Sequence, residues 1–397
     1  MVLTIVLWPW LILVVAYGAC IGSFLNVVIL RLPAGESLWR SPSHCPQCQT
    51  RLRWFDNIPV LGWLLVRGCC RYCSAPISAQ YPLVESATAL LFGVTYTSYY
   101  MTGLNPPFAA LGPGQTWPVL IVHLVLVAAL LAATVIDARL FIIPLDIPNF
   151  VSVTAVLVLP LCVLWFPRAE DVVPHLSGGA MVAAASGGTV GLIVAFVLLW
   201  CRWLPRSFEE ELNDADPADA GDIGTPEQWL AHPHPRREVL KECLYVAWPL
   251  GGAVLGYLIA TRYGWSGSVP PAIVRVVTGV VWGYLCGATL AWAMRILGTL
   301  AFGKEAMGLG DVHLLAAIGA VLGWNDSVVV FFIAPFIGLA GTAVAAGLLR
   351  LAKGEVRVVP YGPYLAAAAV VWMLLATPLR SLFVILVGWP QLDAAAS

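Results

Sequence analysis

The chain has 397 residues, of which 60% are hydrophobic and only 11% charged, and its mean hydropathy is +0.84. Ordinary soluble domains carry about 25% charged residues, so this composition excludes them and indicates a polytopic membrane protein. A net charge of −1 and a pI near 6.6 give no sign of a nucleic-acid partner.

In chain order, apolar runs occupy about 2–30, 82–101, 117–137, 149–166, 176–203, 243–262, 272–300, 311–323, 326–349 and 360–377. Most reach the roughly 20 residues that a helix needs to cross a bilayer. The first run lacks a basic flank at its start and reads as a retained helix, not a cleaved signal. Run 311–323 is short and suggests a half-helix entering from one face. The last piece, Leu382 to Trp389, is too short to cross and is expected at the interface. No internal repeat is visible. The expected fold is all-α, with about ten transmembrane helices and a small domain after the first.

Lysine and arginine set the orientation. Arg31, Arg40, Arg51, Arg53, Arg67 and Arg71 lie in segment 31–81. Arg202, Arg206, Arg236, Arg237 and Lys241 flank segment 201–242, and Arg350, Lys353 and Arg357 lie in 350–359. The 102–116 loop is uncharged. Ten spans with the N-terminus outside place every basic segment in the cytoplasm. Segment 204–242 also carries an acidic block, from Glu209, Glu210 and Glu211 through Asp214, Asp216 and Asp219 to Asp222. It reads as a flexible cytoplasmic loop. His232 and His234 in it are either metal ligands or part of a solvated Pro-rich stretch.

Four of the ten cysteines form CPQC (Cys45, Cys48) and CRYC (Cys70, Cys73), two C-x2-C pairs separated by 21 residues. Each pair can offer two thiolates from one tight turn, which suits a four-thiolate zinc site. Two disulfides or free thiols are the alternatives, but a cytoplasmic segment keeps thiols reduced. Cys69 beside Cys70 leaves the choice of ligand open, although the spacing favours Cys70. Cys20, Cys162, Cys201, Cys243 and Cys286 fall in or near apolar runs and read as small core residues.

Two aspartates end apolar runs differently from the rest. Asp137 closes TWPVLIVHLVLVAALLAATVID, and Pro144 and Pro148 end the helix soon after it. Asp311 follows Gly308 and Gly310 at the head of another apolar run. An acid at a membrane edge costs several kcal/mol, roughly, and is a functional candidate by default. Taken alone, each also reads as a helix-end carboxylate at headgroup level, the reading that fits Asp146 best. As a pair they would share one proton and activate a water. His313 either tunes that pair or faces the interface, whereas Glu85, His123, Lys304 and Glu305 read as interfacial.

Together these residues resemble the prepilin peptidases (type 4 prepilin leader peptidases), members of the GxGD aspartyl proteases. GSFLNVVILRLP (Gly22–Pro33) resembles the family's N-terminal signature, and Ser43–Glu85 its cysteine domain. ID-x5-IP (Ile136–Pro144) and GLGDVHLLAAIGAVLG resemble its aspartate motifs, and PYGPYLAAAA its closing motif. The resemblance implies a bacterial inner-membrane enzyme that cleaves the leader of type IV prepilins or pseudopilins at the cytoplasmic face. It also implies methylation of the new N-terminus with S-adenosylmethionine. Asp137 and Asp311 would be the catalytic pair, and Cys45, Cys48, Cys70 and Cys73 the zinc ligands; no residue is assigned to methyl transfer.

Leu145 and His313 depart from the family's usual Asp/Asn and Lys. Four spans separate the aspartates instead of two, which suggests an insertion over roughly 204–300. The expected divisions are 1–30 (first helix), 31–81 (zinc domain), 82–203 (helices with the first aspartate), 204–242 (acidic loop), 243–300 (inserted hairpin) and 301–397 (helices with GxGD). Alternatives are a GxGD protease acting on other membrane substrates without methylation, and a proton-coupled transporter.

Overall fold

The computed structural model describes residues 2–39, 43–205, 235–352 and 360–387. The acidic block, His232 and His234, and the end of the 382–389 piece lie outside them. Among the described residues ten helices of 14 residues or more follow one another: α1 (Val2–Arg31), α2 (Gln80–Tyr100), α3 (Pro113–Leu140), α4 (Asp146–Trp165) and α5 (Gly179–Trp200). After these come α6 (Pro235–Arg262), α7 (Ala272–Phe302), α8 (Leu309–Leu322), α9 (Trp324–Ala352) and α10 (Tyr361–Val387). Every expected apolar run is a helix. The last two expected pieces join into α10, which is kinked at Leu375 above Pro378. Extended pairing among the described residues is confined to two isolated bridges, His44–Arg51 and Cys69–Pro76.

Eight of the ten helices are long and apolar enough to cross a membrane. The exceptions are α2 and α8. Helix α8 has 14 residues, about 21 Å at 1.5 Å per residue, short of a hydrocarbon core of about 30 Å. Helix α2 is diluted by Glu85 and by serines, threonines and tyrosines, most of which face protein. Thr88, Thr95, Ser98, Tyr96, Tyr99 and Tyr100 are buried. Tyr99 Oη meets His123 Nδ1 at 2.6 Å, Tyr100 Oη meets Thr116 Oγ1 at 2.7 Å, and Ser98 Oγ donates to the Leu374 carbonyl at 2.8 Å. Buried hydroxyls need such partners where no water competes. Glu85 and His123 are buried within the protein.

The chain divides into two compact units, Met1–Ile147 with Arg357–Pro390, and Pro148–Val356 with the C-terminal tail. In the first, α1 packs along α2, and α3 packs against both of them and α10. A Cβ on Gly22 would come within 2.6 Å of Glu85 Cα, so the two backbones touch there. In the second, α5 pairs with α6, and α7 carries α8. Gly187 and Gly191 face Gly252 and Trp248, while Gly283 faces Gly319 and Gly287 faces Leu315, each backbone to backbone. Apolar helices gain no hydrophobic drive from pairing in lipid, so close approach at small residues holds them. The large apolar side chains left exposed along α4, α5, α6 and α9 face outward, as lipid-facing surfaces should.

Candidate active site and metal centre

The segment between α1 and α2 is built on two similar turns. In the first, Cys45 N–H donates to the Thr50 carbonyl and Gln49 N–H to the Cys45 carbonyl. In the second, Cys70 N–H donates to the Ala75 carbonyl and Ser74 N–H to the Cys70 carbonyl. Gln49 (φ 56°) and Ser74 (φ 58°) occupy the same left-handed place just after each C-x2-C. The turns bring Cys45, Cys48, Cys70 and Cys73 together, all four sulfurs within 4.8 Å of one another. Cys45 and Cys73 Sγ are 3.8 Å apart, close to the edge of a thiolate tetrahedron with metal–sulfur bonds of about 2.3 Å.

The described cysteines are free thiols, and the donor set of the cluster is one that could hold a metal ion. Cys70, and not its exposed neighbour Cys69, belongs to it. Thr50 bonds to Cys48 pull that thiol down to about 6, and backbone N–H groups of Tyr72 and Cys73 lower Cys70. Both shifts favour the thiolate that binds metal, whereas burial and the neighbouring sulfurs push Cys73 up to about 12, so one proton stays in the cluster until a cation displaces it. Of the remaining cysteines Cys162 is buried, while Cys20, Cys201 and Cys243 are exposed on their helices.

Asp137 sits in the last turn of α3 and is buried. The helix stops one turn later because Phe141 adopts a left-handed conformation (φ 56°, ψ 31°) and returns its N–H to the Asp137 carbonyl at 2.9 Å. The start of α10 then comes up against the aspartate's side chain. The Gly362 backbone lies directly against the carboxylate. A Cβ at 362 would collide with Asp137 Oδ2 and press on Ile143 Cδ1. The closing PYGPY motif is thus the floor of the first aspartate.

Asp311 is buried in the first turn of α8, three residues after the N-cap Gly308. The helix dipole favours a carboxylate there. The loop leading to it is fixed by Arg295 of α7, which is almost fully buried. Its Nε donates to Glu242 of α6 at 3.0 Å, and its Nη1 to Glu305 and to the Met307 carbonyl. Trp292 Nε1 adds a bond to the same Glu242 at 2.9 Å. Ala306 N–H closes onto Thr299 Oγ1 at 3.3 Å. His313 turns its ring back to the Leu309 carbonyl of its own helix, 3.0 Å away. Asp146 is exposed at the start of α4.

Asp137 belongs to the first unit and Asp311 to the second. Arg295 and Glu242 escaped the sequence reading, although an arginine inside the apolar run 272–300 was a visible signal. Gly362 gave no signal beyond its motif.

Residues 16–99 match the bacterial peptidase A24 N-terminal domain, and residues 242–343 match the type IV leader peptidase family. A prepilin leader peptidase/N-methyltransferase of Aeromonas hydrophila is 30% identical over 394 residues, 92% of each chain. The chain belongs to the type IV leader peptidase family. A Myxococcus xanthus relative of the same name is 34% identical over 253 residues, 63% of each chain. One from Klebsiella pneumoniae is 38% identical over 167 residues, 41% of this chain and 66% of that one. No solved structure matches. In this leader peptidase the second matched region includes Glu242, Arg295 and the whole of residues 243–300, the stretch expected as an insertion.

Proposed function

We propose that Asp137 and Asp311 are the paired carboxylates with which this prepilin leader peptidase and N-methyltransferase cuts its substrate. Two carboxylates that share a site cannot both ionise easily, so together they hold one proton over a wide pH range. The ionised one takes a proton from water, and the protonated one polarises the scissile carbonyl. The proton's affinity belongs to the pair and not to either residue.

The observation that carries this reading is the common setting of both side chains. Each is buried at a helix end, and each has the backbone of a glycine motif beside it. Gly308, like Gly362, lies near its aspartate, a Cβ there meeting Asp311 Oδ2 at 3.4 Å. The substrate is a type IV prepilin or pseudopilin whose leader stays on the cytoplasmic side of the inner membrane while its apolar helix lies in the bilayer. The basic residues flanking the spans support that orientation, and the lipid-facing helices would hold the cleavage site in register with the carboxylates.

Cys45, Cys48, Cys70 and Cys73 would hold a structural zinc ion, as four thiolates at this spacing suit it best. The six divisions, with 31–81 as the zinc domain and 204–242 as a cytoplasmic loop, belong to this reading. Methylation uses S-adenosylmethionine, whose sulfonium supplies an electrophilic methyl group. The relatives' names favour neither transport nor leader-independent proteolysis.

The test is leader removal from a synthetic prepilin by purified protein in lipid. Asp137→Asn and Asp311→Asn should each abolish cleavage while the thermal unfolding profile stays that of the wild type. Cleavage that survives both substitutions overturns the assignment.

A further inference from the structure

Between the two cysteine turns, the short helix Leu61–Leu65 follows the turn Trp54–Asn57, all of it within the first unit. One side of this helix is pinned. Gly62 is buried, and a Cβ there would come within 2.6 Å of the Asp56 carbonyl oxygen. Trp63 Nε1–H donates to the Ile77 carbonyl at 3.1 Å. Leu61, Leu64 and Leu65, spaced i, i+3 and i+4, share the other side. Each of the three is more than half exposed, so they stand out from a fixed helix and not from a slack loop. Trp54, in the turn against which Gly62 packs, is 79% exposed.

The level of this face is set by Glu85. Val60 N–H, at the head of the short helix, donates to Glu85 Oε2 at 2.6 Å. Glu85 lies beyond the first turn of α2, which begins at Gln80, or about 8 Å along it at 1.5 Å per residue. Glu85 Cα in turn lies against Gly22, well inside α1, which runs on to Arg31. The leucine helix is therefore held beside α1 and α2 inside their ends and not beyond them. Tyr81 and Leu83, at the start of α2, are exposed as well. The leucines thus continue the outward apolar surface of the long helices.

Charge selects the surface that would cover them. Residues 43–79 contain four arginines and a single acid, Asp56. Asp56 is occupied by Arg71 Nε at 3.0 Å and Tyr72 Oη at 3.2 Å. Arg51, Arg53 and Arg67, before and after the leucines in the chain, are exposed. At the boundary of an anionic bilayer, leucines enter the acyl region and an indole sits at headgroup level. Guanidinium groups there meet lipid phosphates.

We propose that the Leu61–Leu65 helix, with Trp54 and the arginines around it, is a membrane-docking face that inserts at the headgroup boundary of an anionic phospholipid bilayer. Its occupant is lipid, and neither the prepilin nor a second copy of this chain. The contact holds the cysteine segment down on the bilayer and is independent of both peptide cleavage and methyl transfer.

To test it, photoreactive benzoylphenylalanine replaces Leu65 in the full chain. The protein is reconstituted in nanodiscs of phosphatidylcholine alone or mixed with phosphatidylglycerol, with and without an added prepilin. After illumination, the mass of the peptide carrying residue 65 identifies what was captured. A phospholipid adduct is expected, about fivefold more abundant with phosphatidylglycerol than without it. Arg53→Gln combined with Arg67→Gln should abolish that preference and leave the residual adduct. Because the probe is bulky, unmodified wild type is also compared in the two nanodiscs by amide hydrogen exchange. Peptides covering 58–67 should exchange more slowly with phosphatidylglycerol, and Leu64→Glu combined with Leu65→Glu should lose that slowing. Capture of the prepilin or of a second chain in place of lipid overturns the proposal. So do the absence of any lipid adduct, and labelling and exchange that are both indifferent to phosphatidylglycerol.

Discussion

Gly362 lies with its backbone against the carboxylate of Asp137, 225 residues earlier in the chain, and no side chain fits between them. Gly362→Ala should therefore move Asp137 and not merely crowd the region. A displacement near 1 Å at a reacting group can cost about 100-fold in rate. The expected result is a loss of that order in the turnover of prepilin cleavage with little change in substrate KM. Cleavage at the wild-type rate would show that the carboxylate tolerates the shift and that Gly362 does not position it.

Arg295 plays the corresponding part for Asp311 at one remove. It ties α6, through Glu242, to the loop that enters α8. Removing one partner of a buried pair leaves the other charge uncompensated and costs roughly 3–5 kcal/mol, whereas replacing both by apolar groups is often near neutral. Arg295→Met should lower the midpoint of thermal unfolding in detergent and slow cleavage. Arg295→Met combined with Glu242→Leu should recover part of the midpoint but not the cleavage rate, because Glu305 and the Met307 carbonyl still lack their donor and Trp292 its acceptor. Equal midpoints for the single and double variants would remove the buried charge as the cause.

The contrast between these two residues shows what the sequence could convey. Helix positions were legible because apolar run length is a local property, and each of the ten runs became a helix. The cysteine cluster was legible because C-x2-C fixes two ligands in one turn, so the long-range step was only the meeting of two turns. Asp137 and Asp311 stood out as acids at the ends of apolar runs. Their neighbours did not. Gly362 and Asp137 meet only through tertiary packing, and a glycine's role appears only when another backbone is seen against it. The burial of Glu85 and His123 was not legible, because hydropathy counts a residue's polarity and not its partners. Their burial depends on Val60, in the cysteine segment, and on Tyr99, in another helix.

The interface between α1 and α2 should be sensitive to bulk at one position. Gly22→Leu would drive a side chain into the backbone at Glu85. Overpacking of this kind typically costs about 1–3 kcal/mol, and here the strain falls on the α2 backbone at Val84 and Glu85. The variant should show a lowered unfolding midpoint, whereas substitution at the neighbouring exposed Phe24 should leave it unchanged. Equal effects at the two positions would show that the helix contact at Gly22 is not a tight one.

The cysteine cluster should hold one metal ion per chain, and its retention should follow pH in a definite direction. Binding needs thiolates, so protons compete with the metal. The Cys48 thiol is already drawn down to about 6 by Thr50, and Cys70 is lowered as well. Above that value Cys48 is ionised without help from a metal, and below it protonation works against binding. A bound cation lowers the thiols further, so release should begin only below about pH 6 and then steepen, since several protons add together. Elemental analysis after dialysis across pH 4 to 8 should show full occupancy at neutral pH and loss at the acid end. Cys45→Ser should lose the ion at neutral pH and Cys69→Ser should keep it, because Cys69 lies outside the cluster. Thr50→Val should shift release to higher pH by removing the hydroxyl bond to Cys48, 3.3 Å long. Occupancy independent of Cys45, or a release curve unmoved by Thr50→Val, would disconnect these thiols from the metal.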